Sequence, residues 1–176
     1  MGRFAPKGSK KGPMLVALEV ATVILAVVAL TPALAHTLEW PGKMRLRKEQ
    51  YLAVQPIYYP GFTIAGFAEP LSILATLTLL VLTPDEVRFW LIACALAALI
   101  VMHLIFWLMT QPVNKFWLRD TELTASAGRF FGKDEQGVRS LTSDWTKLRD
   151  RWELSHVLRS IAAAMALLLL VTAVAI

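Results

Sequence analysis

The chain has 176 residues, a net charge of +5, 56% hydrophobic residues and a mean hydropathy of +0.55. That balance excludes a soluble globular domain and puts the chain in the membrane class. A lone cysteine, Cys94, excludes an internal disulfide, and no nucleic-acid module is present, so no nucleic-acid partner is expected.

A basic N-terminal tail, residues 1–13, carries Arg3, Lys7, Lys10 and Lys11. It precedes the first of four apolar stretches, which run over residues 14–35, 61–82, 89–109 and 157–176. Each is about as long as a ~30 Å hydrocarbon layer requires at ~1.5 Å of helix rise per residue. The tail, the apolar run and Ala33-Leu34-Ala35 imitate a signal peptide, but the run exceeds the usual h-region, so a retained first span is expected. It ends near His36, where Trp40-Pro41-Gly42 is expected to turn the chain. Lys43 to Gln55 suits a short interfacial helix. The second connection, Thr83-Pro84-Asp85-Glu86, is tight, and Thr83 or Asp85 is placed to cap the third span. Gln111-Pro112 is expected to stop that span. Cys94 within it is expected to be a small buried thiol. The third connection contains Gly128, Gly132 and Gly137, and a helix begins near Ser143. No breaker separates it from the fourth span, which predicts one extended helix with Arg149 and Glu153 as an i,i+4 pair. Residues 14–176 thus read as a single all-α, polytopic four-transmembrane-helix bundle. The positive-inside rule counts twelve Lys/Arg on the first and third connections against five on the opposite side. Aromatic residues also crowd the face that bears those two connections.

Polar residues within the spans carry the functional signal, because ionisable groups at membrane depth are costly. His36 and His156 sit at the same face. Should the first helix persist past His36, Glu39 follows on one stripe. Two histidines and a carboxylate make a candidate metal set, His36, Glu39 and His156, for one iron or copper ion or for zinc. The alternative is a wet, hydrogen-bonded interfacial group with no metal. Trp145, Arg149, Trp152 and His156 fall on one helical stripe and are candidates to line a pocket for a flat apolar molecule. Glu69 lies ~13 Å and His103 ~10 Å into consecutive antiparallel spans, so they form a candidate intramembrane pair. A proton path there stands against a neutral pair that fixes helix register. Glu19 lies toward the opposite face and is expected to snorkel or to meet a partner. No CxxC, haem-attachment, phosphate-loop or nucleophile-elbow motif occurs, and bis-histidine haem ligation is left open.

The runs HxxExPxK (His36 to Lys43), PxN (Pro112 to Asn114) and RWExxH (Arg151 to His156), with Tyr51 to Tyr58, resemble those of the anthrone-oxygenase-like family of small bacterial four-helix membrane proteins. The resemblance implies a compact bundle in the bacterial inner membrane, multi-pass, with these motifs converging at one face. It adds Asn114 and Lys43 to His36 and His156 as candidate catalytic residues. A few members are associated with oxidation of anthrones to anthraquinones, in which a histidine would serve as general base without need of a metal.

Two readings follow. The basic tail and the long third connection are additions to the family pattern. They suit an accessory or structural subunit of a larger membrane complex, docking through the tail and the 111–153 connection. The alternative is a membrane-bound oxygenase-like enzyme for a flat lipophilic, quinone- or anthrone-like substrate.

Overall fold

The structure, a computed structural model, describes residues 12–117 and 145–176. The N-terminal tail and most of the third connection lie outside the described residues. Within them the fold is all-helical: α1 (Pro13–Lys43), α2 (Lys48–Val54), α3 (Gly61–Gly66), α4 (Ala68–Val81), α5 (Glu86–Ile105), α6 (Gln111–Trp117) and α7 (Trp145–Ala175). A short 3-10 turn, Gln55–Tyr58, follows α2, and a π-helical turn, Phe106–Thr110, joins α5 to α6. Four helices are long and apolar enough to cross a membrane: α1, α3 with α4, α5 with its continuation to Asn114, and α7. The spans pack in a ring, α1 against α4, α4 against α5, α5 against α7 and α7 back against α1.

Close approach of these helices rests on small residues. Ala26, Ala95, Ala98 and Ala166 form one buried layer with Leu99 and Leu170. Ala29, Ala33, Ala68, Ala162 and Ala163 form the next with Met102. In lipid, association depends on packing and polar contacts rather than on hydrophobic burial, and short side chains let backbones approach. Buried hydroxyls cost little here because they bond back to their own helix, as Thr22 does to the Leu18 carbonyl and Thr76 to Ser72.

Two helices run further than expected. α1 continues through Pro41 to Lys43, which puts His36, Glu39 and Lys43 on one face instead of breaking after His36. The third span continues past Pro112. A proline at this position leaves the carbonyl four residues back, Leu108, without its helical donor. Arg151 of α7 supplies one, its Nη2 lying 2.5 Å from the Leu108 oxygen. The π-helical turn sits in the same stretch, where such turns absorb irregularity. Asp85 caps α5 by accepting from the Arg88 amide at 2.9 Å, while Thr83 bonds back to Leu79.

Two side-chain expectations are corrected, for Cys94 and Arg149, and the alternative left open for Glu19 is decided. Cys94 is exposed on the outer face of α5 rather than buried. Glu19 does not snorkel: it is buried and paired with Arg88, whose Nε also donates to the Ala173 carbonyl at 2.9 Å. This ties α1, α5 and α7 at the end of the bundle opposite the histidines. Arg149 pairs with Asp150 at 2.8 Å, because Glu153 points inward to Tyr51.

Candidate functional site

A cavity of about 370 Å³ opens between the helices at the end of the bundle that bears His36 and His156. Its walls include His36, Tyr58, Phe62, Glu69, His103, Phe106, Asn114, Trp152, His156 and Arg159. The volume falls in the range of small-molecule sites, and a mostly apolar wall with a few convergent polar groups is their usual make-up.

The helix registers explain the convergence. His36 and Lys43 are seven residues apart on α1, two turns along one face. Trp152, His156 and Arg159 occupy positions i, i+4 and i+7 of α7 and share a stripe. The imidazoles of His36 and His156 therefore meet, with ring centroids 4.1 Å apart. Tyr58 and Trp152 set their rings against His36 at 4.3 and 4.6 Å in edge geometry.

Lys43 is the hub at the outer side. Its buried ammonium donates to His36 Nδ1 at 3.0 Å and lies 3.1 Å from Glu39 and 3.6 Å from Glu153. It also sits 4.9 Å from the ring centres of both Tyr58 and Trp152. Glu39 accepts from the Tyr58 hydroxyl at 2.6 Å, and Glu153 accepts from Tyr51 at 2.8 Å. Both phenols hold their protons well above the ordinary tyrosine range. Burial is the main cause for each, followed by the neighbouring carboxylate.

Arg159 is the hub at the inner side. It pairs with Glu69 across the bundle, lies 5.1 Å over the Phe106 ring, and its Nη1 is 3.4 Å from His156 Nδ1. Glu69 also faces His103, whose Nδ1 is 3.3 Å from Oε2, and the Trp107 indole donates to His103 Nε2 at 3.0 Å. A ring nitrogen that accepts from Trp107 leaves the proton on the other, so His103 donates to Glu69. Both carboxylate oxygens of Glu69 are thereby engaged.

The same logic assigns the other two histidines. An ammonium and a guanidinium can only donate. His36 Nδ1 accepts from Lys43 and His156 Nδ1 accepts from Arg159, so each neutral ring carries its proton on Nε2. Nε2 of His156 is buried and has no hydrogen-bond partner among the described residues.

The candidate metal set does not fit a metal ion. Metal-bound histidine ordinarily donates its second ring N–H to a carboxylate or carbonyl. Here the second nitrogen of each ring faces a cation, and the Lys43 ammonium occupies the position between His36 and Glu39. Among the described residues no group of three His, Cys, Asp or Glu side chains is arranged to hold an ion.

The structure distributes the remaining candidates as follows. Asn114 accepts from the Trp152 indole at 2.8 Å and orients that ring. Trp152 belongs to the cavity wall. Trp145 and Arg149 do not; they stack on each other at 5.1 Å, and Trp145 faces Tyr51. Arg159, Tyr51 and Tyr58 were not anticipated as site residues. The signal for Arg159 was available, since it is a cation within an apolar span three residues after His156.

A family model described as anthrone oxygenase matches residues 57–169. No curated protein and no solved structure matches the chain.

Proposed function

The chain belongs to the anthrone oxygenase family, and from that membership and the cavity chemistry we propose that it is a membrane-embedded oxygenase-type enzyme for a flat, lipophilic, enolisable ketone of the anthrone class. The observation that carries the reading is the buried, unpartnered Nε2 of His156, a residue in the wall of a mostly apolar cavity. A buried donor without an acceptor is costly unless a ligand completes it. The complement of that N–H is an acceptor oxygen, held more strongly the more negative charge it carries.

The site therefore works by stabilising an anion, with the histidines as donors rather than general bases. An anthrone loses a proton from its ring methylene to water and becomes an enolate. Its oxygen accepts from His156 Nε2–H. Donors aimed at developing negative charge raise the population of that anion. The anionic carbon then gives an electron pair to dioxygen, forming a C–O bond. The peroxide oxygen takes a proton from water to give a hydroperoxide. That species loses the remaining hydrogen on the same carbon and its O–O bond breaks, releasing water and leaving a carbonyl. One anthrone and one dioxygen yield one anthraquinone and one water. Trp152, held by Asn114, and Phe106 supply flat apolar faces for the rings.

The accessory-subunit reading drew on the N-terminal tail and the third connection, which fall largely outside the described residues. The test is oxygen uptake and quinone formation from 1,8-dihydroxyanthrone by the purified chain in nanodiscs, against the uncatalysed background. His156→Ala should lower the rate about 100-fold, the scale of one lost anion-stabilising donor. No rate above background, with a fixed set of larger chains co-purifying from native membranes, would overturn the enzyme in favour of the accessory role.

A further inference from the structure

We infer that the cavity takes its ligand sideways from the bilayer, through a portal between the second and third spans framed by Gly66, Phe67, Pro70, His103 and Trp107. The inference rests on the cavity being a ligand site, as proposed above.

These five residues line the cavity and none of them is buried. Phe67 is 61% exposed and Trp107 46%, and the His103 side chain is 31% exposed. The portal sits where both flanking helices are irregular. On one side α3 ends at Gly66 and α4 begins at Ala68, and Pro70 has no amide hydrogen to give the Gly66 carbonyl. On the other side the π-helical turn starts at Phe106. Two interrupted helices facing each other cannot pack as closely as regular ones.

Helix rise puts Gly66 ~8 Å from the start of its span and Trp107 ~10 Å from Asn114 at the end of its own. The outer surface at this level is apolar, with Ile64, Leu71, Leu104 and Leu108 exposed beside the opening. A ligand arriving there comes from the acyl region. On the aqueous side aromatic rings crowd the histidine: Tyr58, fixed to Glu39 by its hydroxyl, and Trp152 press edge-on against His36. Phe62 adds a third ring at 5.0 Å. Trp107, tied to His103 and through it to Glu69, stands at the portal as an aromatic jamb whose orientation is set by the inner ion pair.

The test measures binding of 1,8-dihydroxyanthraquinone, a flat, unreactive probe, to the chain in nanodiscs by stopped-flow quenching of tryptophan fluorescence. Gly66→Phe plugs the portal without a backbone clash, since a Cβ there meets nothing within 4 Å. Association and dissociation should both slow by about tenfold with Kd nearly unchanged, the signature of a blocked route rather than a lost contact. Phe67→Ala should speed both, and serves if Gly66→Phe does not fold. Gly42→Phe, on the aqueous groove beside Lys43, also has open space at its Cβ and should leave both rates alone. Wild-type rates in Gly66→Phe or Phe67→Ala, or slowing in Gly42→Phe alone, would overturn the portal while the ligand site stands. No quenching of the wild type would overturn the ligand site and the portal with it.

Discussion

Arg159→Ala is the most informative single change to stability. The guanidinium and the Glu69 carboxylate are each 5% exposed and pair across the bundle, inside the layer that replaces water with hydrocarbon. Alanine leaves Glu69 with one remaining donor, His103 Nδ1 at 3.3 Å, and also removes the partner of His156 Nδ1. Removing one member of a buried pair costs about 3–5 kcal/mol, because the other charge stays desolvated. At ~1.36 kcal/mol per decade, the unfolding equilibrium should shift by about two to four decades. SDS titration of the purified protein in mixed micelles measures this directly. The double variant Glu69→Leu/Arg159→Met replaces the pair by apolar groups of similar size and should return to within about 1 kcal/mol of wild type, or exceed it. A cost below about 1 kcal/mol for Arg159→Ala would show that the pair behaves as an exposed one, and would refute the reasoning. The double variant should fold yet bind no anthraquinone tightly, separating the stabilising role of the network from its role in the cavity.

Three further outcomes are expected. Tyr51 keeps its proton in the fold beyond the ordinary value of 10.0, while the unfolded chain loses it there, so the native state binds more protons above that pH. Its contribution is fully present below about pH 10 and declines above it by up to ~1.4 kcal/mol per pH unit, a slope that Tyr51→Phe should remove from thermal midpoints taken between pH 8 and 11.5. Arg151→Ala should destabilise by about 1 kcal/mol because the Leu108 carbonyl loses its substitute donor, and less in a Pro112→Ala background that restores an amide hydrogen, as a double-mutant cycle would reveal. Prolonged EDTA treatment should leave anthraquinone affinity unchanged, since Lys43 and Arg159 donate to the histidine Nδ1 atoms, where a metal-bound histidine would itself donate an N–H to a carboxylate or carbonyl. Loss of binding on chelation, restored by iron or copper, would contradict that assignment.

Four spans and their antiparallel order follow from the sequence alone, because the length and apolarity of each run meet the bilayer's requirement without reference to any neighbour. Depth along those spans also paired Glu69 with His103, and one-face spacing grouped His36, Glu39 and His156. What these groups do was decided elsewhere. Whether α1 breaks after His36 or runs on to Lys43, and whether Pro112 ends a helix, depends on which neighbours supply packing and donors. Arg151 reaches the Leu108 carbonyl from a residue 43 positions away. The expected metal set surrounds a lysine instead, because α1 runs on to Lys43. The protonation of an imidazole depends on what faces each of its nitrogens, and Lys43, two turns along α1, and Arg159, one turn along α7, share a helix with the histidine each faces; helix packing adds the meeting of His36 with His156 and the carboxylates of Glu153 and Glu69 that hold the two cations. Local pattern determined where the chain crosses the membrane and, once α1 runs on to Lys43, which cation lies beside each histidine; long-range contact determined that the two imidazoles meet in one cavity wall.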